Sequence, residues 1–285
     1  HYVSPVVINQ MLENPERLKL GGEERVISVL FSDLAGFTKT SEKLGPSEMV
    51  GLMSEYFERM TEEIYEEGGM LKEYVGDELM ALFGAPLEQE DHAVRACRAA
   101  LRMQGALNLL RKEWVKKELP PLTSRTGINT GPMLVGNLGS TYRFSYGALG
   151  DNVNLGSRLE GINKIYGTDI IIGEATAEKV KDSFHLRELD TVRVVGKEKA
   201  IVIFELIAEV ENTLSEKTVT KLKSYSEALS FYRKGDLPAA EKKFDDALLL
   251  DPKDGPSKTM KKRCGELKEL GLPSEWNGIY EAQSK

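Results

Sequence analysis

The sequence predicts an α+β fold, an α/β sandwich on a mainly antiparallel sheet, followed by a small all-α tail. Three observations carry this expectation. Apolar runs of strand length are interleaved with amphipathic helical stretches. Several strands are joined by short glycine-containing turns, which suit antiparallel neighbours, whereas parallel ones need long crossovers. In the last third of the chain the strand signals stop and only helical periodicity remains.

Ser4-Pro5 reads as an N-cap and first helical residue, with Val6, Val7, Ile8, Met11 and Leu12 behind it. This short helix ends near Asn14-Pro15, and Gly21-Gly22 mark the entry to the main domain. A first strand covers about 26–34. Ser47 is placed to cap a long helix with Val50, Met53, Phe57, Met60 and Ile64 on one stripe, stopped by Gly68-Gly69. A hairpin follows, 70–75 and 78–83, closed at Gly76-Asp77. Asp91 is placed to cap a second helix carrying Val94, Cys97, Leu101 and Leu107. Strand-like runs at 126–129, 133–138 and 142–146 are separated by glycine-containing turns, and a helix begins near Asp151. Short strands at 170–172, 192–195 and 201–207 complete the domain.

Residues 209–220 loosen into a polar linker. Beyond it, Ala228, Phe231, Gly235, Ala240, Phe244, Ala247 and Pro252 fall at the offsets of a tetratricopeptide helical hairpin. One repeat cannot bury its own face, so it is expected to pack on a third helical stretch, 257–270, or on the main domain. The expected division is an N-terminal helix and linker over 1–22, a main domain over 23–208, a linker over 209–220 and a helical extension over 221–285.

The formal charge of −7 over 285 residues lacks the basic footprint of a nucleic-acid binder. It leaves room for a triphosphate ligand, because metals can carry the local positive charge. Cys97 and Cys264 are far apart, and Cys97 lies on an apolar helical face, which suits a reduced core residue better than a disulfide. His1, His92 and His185 have no zinc spacing. No apolar run approaches transmembrane length and no signal peptide is present. A chain opening on His1 reads as a fragment of a longer protein, expected to be cytoplasmic, with an upstream sensor and a parent that a membrane anchor could hold.

The chemistry concentrates at strand ends. The apolar run Val26-Ile27-Ser28-Val29-Leu30-Phe31-Ser32 leads directly into Asp33, and a small-residue turn follows. Asp77 sits on a Gly-Asp turn between two apolar runs. Either aspartate alone reads as a turn residue. Together, two carboxylates at the ends of buried strands are what hard divalent cations need, alongside substrate phosphates. Asn154 and Arg158, four apart at the start of a helix, share a face.

The segments Phe31–Thr38, Tyr74–Phe83 and Gly147–Glu160, in that order, resemble the motifs of class III nucleotidyl cyclases over about 25–206. The resemblance implies a cyclase fold with a ferredoxin-like, palm-related core. It implies that Asp33 and Asp77 hold two Mg²⁺ or Mn²⁺ ions, with the backbone at Leu34 as a further ligand. It implies that Asn154 orients the ribose and that Arg158 stabilises charge at the α-phosphate. Adenylate-specific members usually carry Lys four residues before the second aspartate, and here that position is Glu73. A carboxylate only accepts hydrogen bonds, so Glu73 matches the N1–H and 2-amino donors of guanine. The second base-reading position is Gly147, with room for the guanine 6-oxygen. The pair favours GTP over ATP. Lys72 is expected on the opposite face by strand alternation. One departure is Val195, where the family has a phosphate-binding lysine; Lys197 or Arg193 is the candidate replacement. The resemblance also implies a homodimer with composite active sites: metal aspartates from one subunit, Glu73, Gly147, Asn154 and Arg158 from the other. Competing readings are an inactive cyclase-homology dimerisation module and a diguanylate cyclase, whose Gly-Gly-Asp/Glu-Glu-Phe run is missing. Gly136-Asn137-Leu138-Gly139-Ser140 lacks the spacing and lysine of a P-loop.

Overall fold

The computed structural model describes residues 20–193 and 199–281. The helix expected after Pro5, and Val195 and Lys197, lie outside the described residues. The elements begin with β1 (Gly21–Ala35), α1 (Phe37–Ser41), α2 (Pro46–Glu66), β2 (Met70–Val75), β3 (Glu78–Phe83), α3 (His92–Lys116) and β4 (Thr123–Gly139). They continue with β5 (Phe144–Leu149), α4 (Asp151–Tyr166), β6 (Ile170–Gly173), α5 (Glu174–Val180), β7 (Phe184–Arg193) and β8 (Ile201–Glu209). The tail adds α6 (Glu216–Arg233), α7 (Leu237–Leu250), α8 (Gly255–Leu270) and β9 (Tyr280–Glu281).

The strand order is β2-β3-β1-β4-β6-β8-β7-β9, with β5 also paired to β4. Among the described residues only the β4–β6 and β7–β9 pairings are parallel, so the sheet is mainly antiparallel, as the short turns predict. The central strand β1 pairs with β4 from Gly21↔Asn137 to Ala35↔Thr123 and with β3 from Ser28↔Phe83 to Ser32↔Leu79. Side chains alternate across it. Leu30 and Leu34 join Tyr56 and Met60 of α2 and Cys97, Met103 and Trp114 of α3 in one core. Ile27, Val29 and Phe31 face the other side, with Met133, Val135 and Val153 at the start of α4.

Several elements differ from expectation for identifiable reasons. The runs at 126–129 and 133–138 are one strand, β4. Its internal glycines serve close packing: a Cβ on Gly127 would lie 2.2 Å from the Glu160 amide of α4, and one on Gly131 would lie 2.6 Å from the Asn152 side chain. Pro132 falls between the stretches that β6 and β5 cover, 126–128 and 134–139, where one side of β4 is edge-like and tolerates proline. Helix α2 starts one residue earlier than Ser47, with Gly45 as N-cap, Pro46 in its first turn and Glu48 accepting the Gly45 amide at 3.0 Å. Asp91 is the N-cap of α3, but its carboxylate pairs with Arg95 at 2.7 Å and caps no amide. Helix α5 has 7 residues, too few for periodicity to reveal. Helix α6 begins at Glu216, inside the stretch read as linker, because Ser215 accepts the Thr218 amide and caps it. Both cysteines are buried and free.

Helices α6, α7 and α8 pack directly against the catalytic half. Tyr225, Tyr232, Phe244 and Met260 share a core with Leu159, Ile162 and Tyr166 of α4 and with Leu189 and Val192 of β7. Polar anchors sit inside that contact. Arg187 on β7 donates to Asp254 at 2.8 and 2.9 Å and to Glu205 at 2.7 Å. Tyr166 donates to Asp190 at 2.6 Å, and Arg263 of α8 pairs with the same carboxylate. Burial pushes the Asp190 carboxyl up, against the pull of Arg263 and Tyr166. Gly255 abuts the end of α4, where a Cβ would lie 2.4 Å from the Tyr166 carbonyl oxygen. Among the described residues no helix is long and apolar enough to cross a membrane.

Breaking a buried ion pair from one side strands the other charge. Arg187→Met leaves Glu205 without its cation and Asp254 with Lys221 alone, 3.1 Å away, and is expected to cost about 3–5 kcal/mol of unfolding free energy. Urea denaturation checks this; a loss below about 1 kcal/mol would show that the anchor contributes little.

Candidate active site

The register of β1 against its two neighbours assembles the site. Ser32 is opposite Leu79, so Asp33, one residue further along β1, meets the β2–β3 turn that carries Asp77. Gly76 takes φ +67°, a conformation that glycine adopts without strain, and this lets the two-residue turn close. On the other side Asp33 is opposite Arg125 of β4. The guanidinium of Arg125 donates to Asp33 Oδ2 at 3.3 Å and pairs with Glu160 of α4 at 3.0 Å.

The electrostatics follow from this crowding of carboxyls. Burial, then the hydrogen bond and charge of Asp33, push the Asp77 carboxyl up to about 6. Glu78 is raised too, by burial and then by Asp33 and Asp77. Burial pushes Glu160 up to about 7, even though Arg125 pulls it down. One arginine does not neutralise this group. Two touching carboxylates at a strand end, one of them raised by burial and by its neighbour's charge for want of positive charge, fit a hard divalent cation. Among the described residues no cluster of three or more acidic, His or Cys side chains could hold a metal, so ligand phosphates would complete the coordination. Leu34 buries its side chain in the core and leaves only backbone to the site.

Arg125 also lines a cavity of about 560 Å³ with Asn154, Ser157, Arg158, Gly161 and Lys164. Asn154 and Arg158 project from the first turns of α4, one helical turn apart as predicted. Nη1 of Arg158 is buried and has no hydrogen-bond partner, a donor that an incoming oxygen would satisfy.

Glu73 and Gly147 lie on β2 and β5. Between them the structure corrects the expectation for Lys72. Strand β2 carries a bulge between Leu71 and Glu73, so two residues oppose one on β3. Met70 and Met80, the partner of Glu73, belong to the core on the α4 side; alternation from Met70 places Lys72 on that side, and the extra residue brings Glu73 to it as well. Lys72 Nζ donates to Ser145 Oγ at 3.0 Å and lies 3.8 Å from Glu73 Oε2. Its stem crosses Gly147, where a Cβ would lie 2.6 Å from Lys72 Cε. The open space expected at Gly147 is therefore taken by Lys72.

Sequence reasoning missed Arg125 and Glu160 beside the carboxylates, and it set Lys72 apart from Glu73. Arg125 and Glu160 sit in ordinary polar contexts, and only the strand register and the approach of α4 bring them to Asp33. The bulge at Lys72 has no glycine or proline to announce it.

With this geometry in hand, comparison with known proteins is decisive. Residues 22–208 match the family described as the adenylate and guanylate cyclase catalytic domain. The chain belongs to the class III nucleotidyl cyclases. This cyclase is 36% identical over 184 residues to adenylate cyclase 1 of Rhizobium meliloti, covering 65% of this chain and 28% of that protein. It is 35% identical over 211 residues to an adenylate cyclase of Anabaena cylindrica, covering 71% of this chain and 40% of the relative. The chain thus spans well under half the length of these relatives. The crystal structure of the guanylyl cyclase Cya2 superposes with a TM-score of 0.63 at 40% identity, covering 67% of this chain and 96% of that one. Class III cyclase domains are generally dependent on divalent metal.

A carboxyl pair cannot hold its proton and a cation together. As pH rises through about 6 Asp77 loses its proton, and divalent-metal stabilisation of this cyclase is expected to grow across that range. Thermal shifts with Mn²⁺ at pH 5 and pH 7.5, in wild type and Asp77→Asn, measure it. An equal shift at both pH values would disprove the assignment of Asp77.

Proposed function

We propose that the chain is the catalytic part of a cyclase that converts GTP to 3′,5′-cyclic GMP and pyrophosphate. The observation that carries the reading is the meeting of Asp33 and Asp77 across β1 and the β2–β3 turn. Asp33 and Asp77, with the Leu34 backbone as a further ligand, would hold two Mg²⁺ or Mn²⁺ ions there, whose charge would acidify the ribose 3′-hydroxyl and steady the leaving pyrophosphate. Asn154 orients the ribose. The unpartnered Nη1 of Arg158 donates to an α-phosphate oxygen as charge builds there. Arg125 holds Asp33 and offers its guanidinium to the phosphates. The 3′-oxygen forms its bond to the α-phosphorus as the bond to the bridging oxygen breaks; the hydroxyl proton leaves to solvent. Lys197 is the proposed substitute for the phosphate-binding lysine that Val195 replaces.

Glu73 supports GTP, and the likeness to the guanylyl cyclase Cya2 agrees. The adenylate cyclase relatives favour ATP as the second reading. Within the proposal the chain works as a homodimer with composite sites. Tyr142, Phe144 and Leu149, at 99%, 40% and 56% exposure, give the β4–β5 ribbon an apolar surface for a second copy. The helical tail is read as a tetratricopeptide-like extension and the whole as the output of an upstream sensor domain.

Incubating the purified chain with each nucleoside triphosphate and Mn²⁺, with the product identified by mass spectrometry, tests the reading. Cyclic GMP is expected to form faster than cyclic AMP at matched substrate, and no cyclic product at all would leave only a dimerisation module. Arg158→Ala is expected to lower kcat by about 10²–10³.

The shared site has its own test. Asp77→Ala and Arg158→Ala are each expected to retain about 1% of wild-type activity or less alone. Co-expressed, they pair at random, and one of the two sites in each mixed dimer is intact, so roughly a quarter of wild-type activity should return. Verified heterodimers with no gain over the separate variants would count against the composite site.

A further inference from the structure

The surroundings of Lys72 are not explained by anything above. A lysine stem lies across a glycine in contact distance of a purine-reading carboxylate, on a strand bulged so that both side chains share a face. The Lys72 side chain is 15% exposed, and its ammonium rests on Ser145, a neutral hydroxyl that needs no positive partner. We propose that Lys72 reads the 6-oxo group of guanine and forms, with Glu73, a donor–acceptor pair matched to the purine edge. The inference rests on the GTP reading above and deepens it.

The argument is one of complementarity. Guanine presents the 2-amino group, N1–H and the 6-oxygen in sequence along one edge: two donors, then an acceptor. Glu73 accepts and Lys72 only donates, so the adjacent pair offers the reverse pattern. A shift of the ammonium from Ser145 to the 6-oxygen keeps it beside the Glu73 carboxylate. Adenine in the same place meets two mismatches. Its unprotonated N1 faces Glu73, and its 6-amino group faces an ammonium. A site whose buried polar groups go unpaired with the wrong substrate discriminates strongly. Gly147 then has a definite role. Any side chain there would push Lys72 off the base edge, since the position of its Cβ is already 2.6 Å from Lys72 Cε.

The test uses the full chain with GTP, with its analogue carrying sulfur in place of the 6-oxygen, and with ATP. Sulfur is the weaker acceptor and leaves N1–H and the 2-amino group in place. Wild type is expected to prefer GTP to the thio analogue in kcat/KM. Lys72→Met keeps the stem and removes the charge; it is expected to lower kcat/KM for GTP by roughly 10- to 100-fold and to bring the GTP-to-thio ratio towards one. Lys72→Arg should keep the preference. A lysine that matters only for packing would lower both substrates by the same factor, and that result overturns the inference. So does a wild-type enzyme that takes both analogues equally, a measurement that stands even if Lys72→Met does not fold. The two readings fail differently. Faster cyclic AMP formation by wild type removes the GTP assignment and this inference with it. Preference for GTP with an unchanged ratio in Lys72→Met removes the inference alone.

Discussion

The hydrogen-bonded register of β1 is the constraint on which everything else depends. A one-residue slip against β3 would turn Asp33 to the opposite face, and a slip against β4 would separate it from Arg125. The register is held by burial on both faces at once. Leu30 and Leu34 need the core under α2 and α3; Val29 and Phe31 need the core under α4. A buried polar ladder adds a second lock: Ser28 bonds His92 at 2.8 Å and Thr130 at 2.6 Å, and Ser32 bonds Thr126 at 3.2 Å. Such a ladder is satisfied in one alignment and left unpaired in its neighbours. The geometry of the carboxylates is thus set by residues that never touch them.

Helix α4 connects this centre to the rest of the molecule. Its first turns carry Asn154 and Arg158, its middle supplies Glu160 to Arg125, and its last residue, Tyr166, hydrogen-bonds Asp190 within the contact made by α8. It lies unusually near β4, because Gly127 and Gly131 remove the side chains that would hold it away, and near β1, where Gly156 contacts Val29 and Phe31. Small residues here fix a distance, and that distance decides where Asn154 and Arg158 stand.

Much of this was legible in the sequence, and the reasons are specific. The Asp33 and Asp77 positions could be read because each follows or interrupts a run of apolar residues long enough to mark a strand. The β2–β3 hairpin has the predicted bounds because a Gly-Asp pair between such runs has few other uses. What could not be read was tertiary. Glycines in β4 resemble turn residues until α4 is placed against them. Arg125 is one polar residue among several until β4 is aligned with β1. Alternation sets Lys72 and Glu73 on opposite faces because it assumes an unbulged strand, and the bulge that brings them together is a property of the pairing with β3. The start of α6 was lost in a polar stretch because a single serine cap carries little pattern.

The interlocked tail has a consequence for what counts as a unit of this protein. The family resemblance ends at residue 208, yet the packing does not. Severed there, the catalytic half would present Ile162, Tyr166, Leu189 and Val192 to water, and would leave Arg187 and Asp190 facing solvent without Asp254 and Arg263. The border that descent draws and the border that solvent would draw are different lines. Exchange of tails between relatives would therefore have to carry the complementary patch on α4 and β7 along with the helices, as a lock travels with its key.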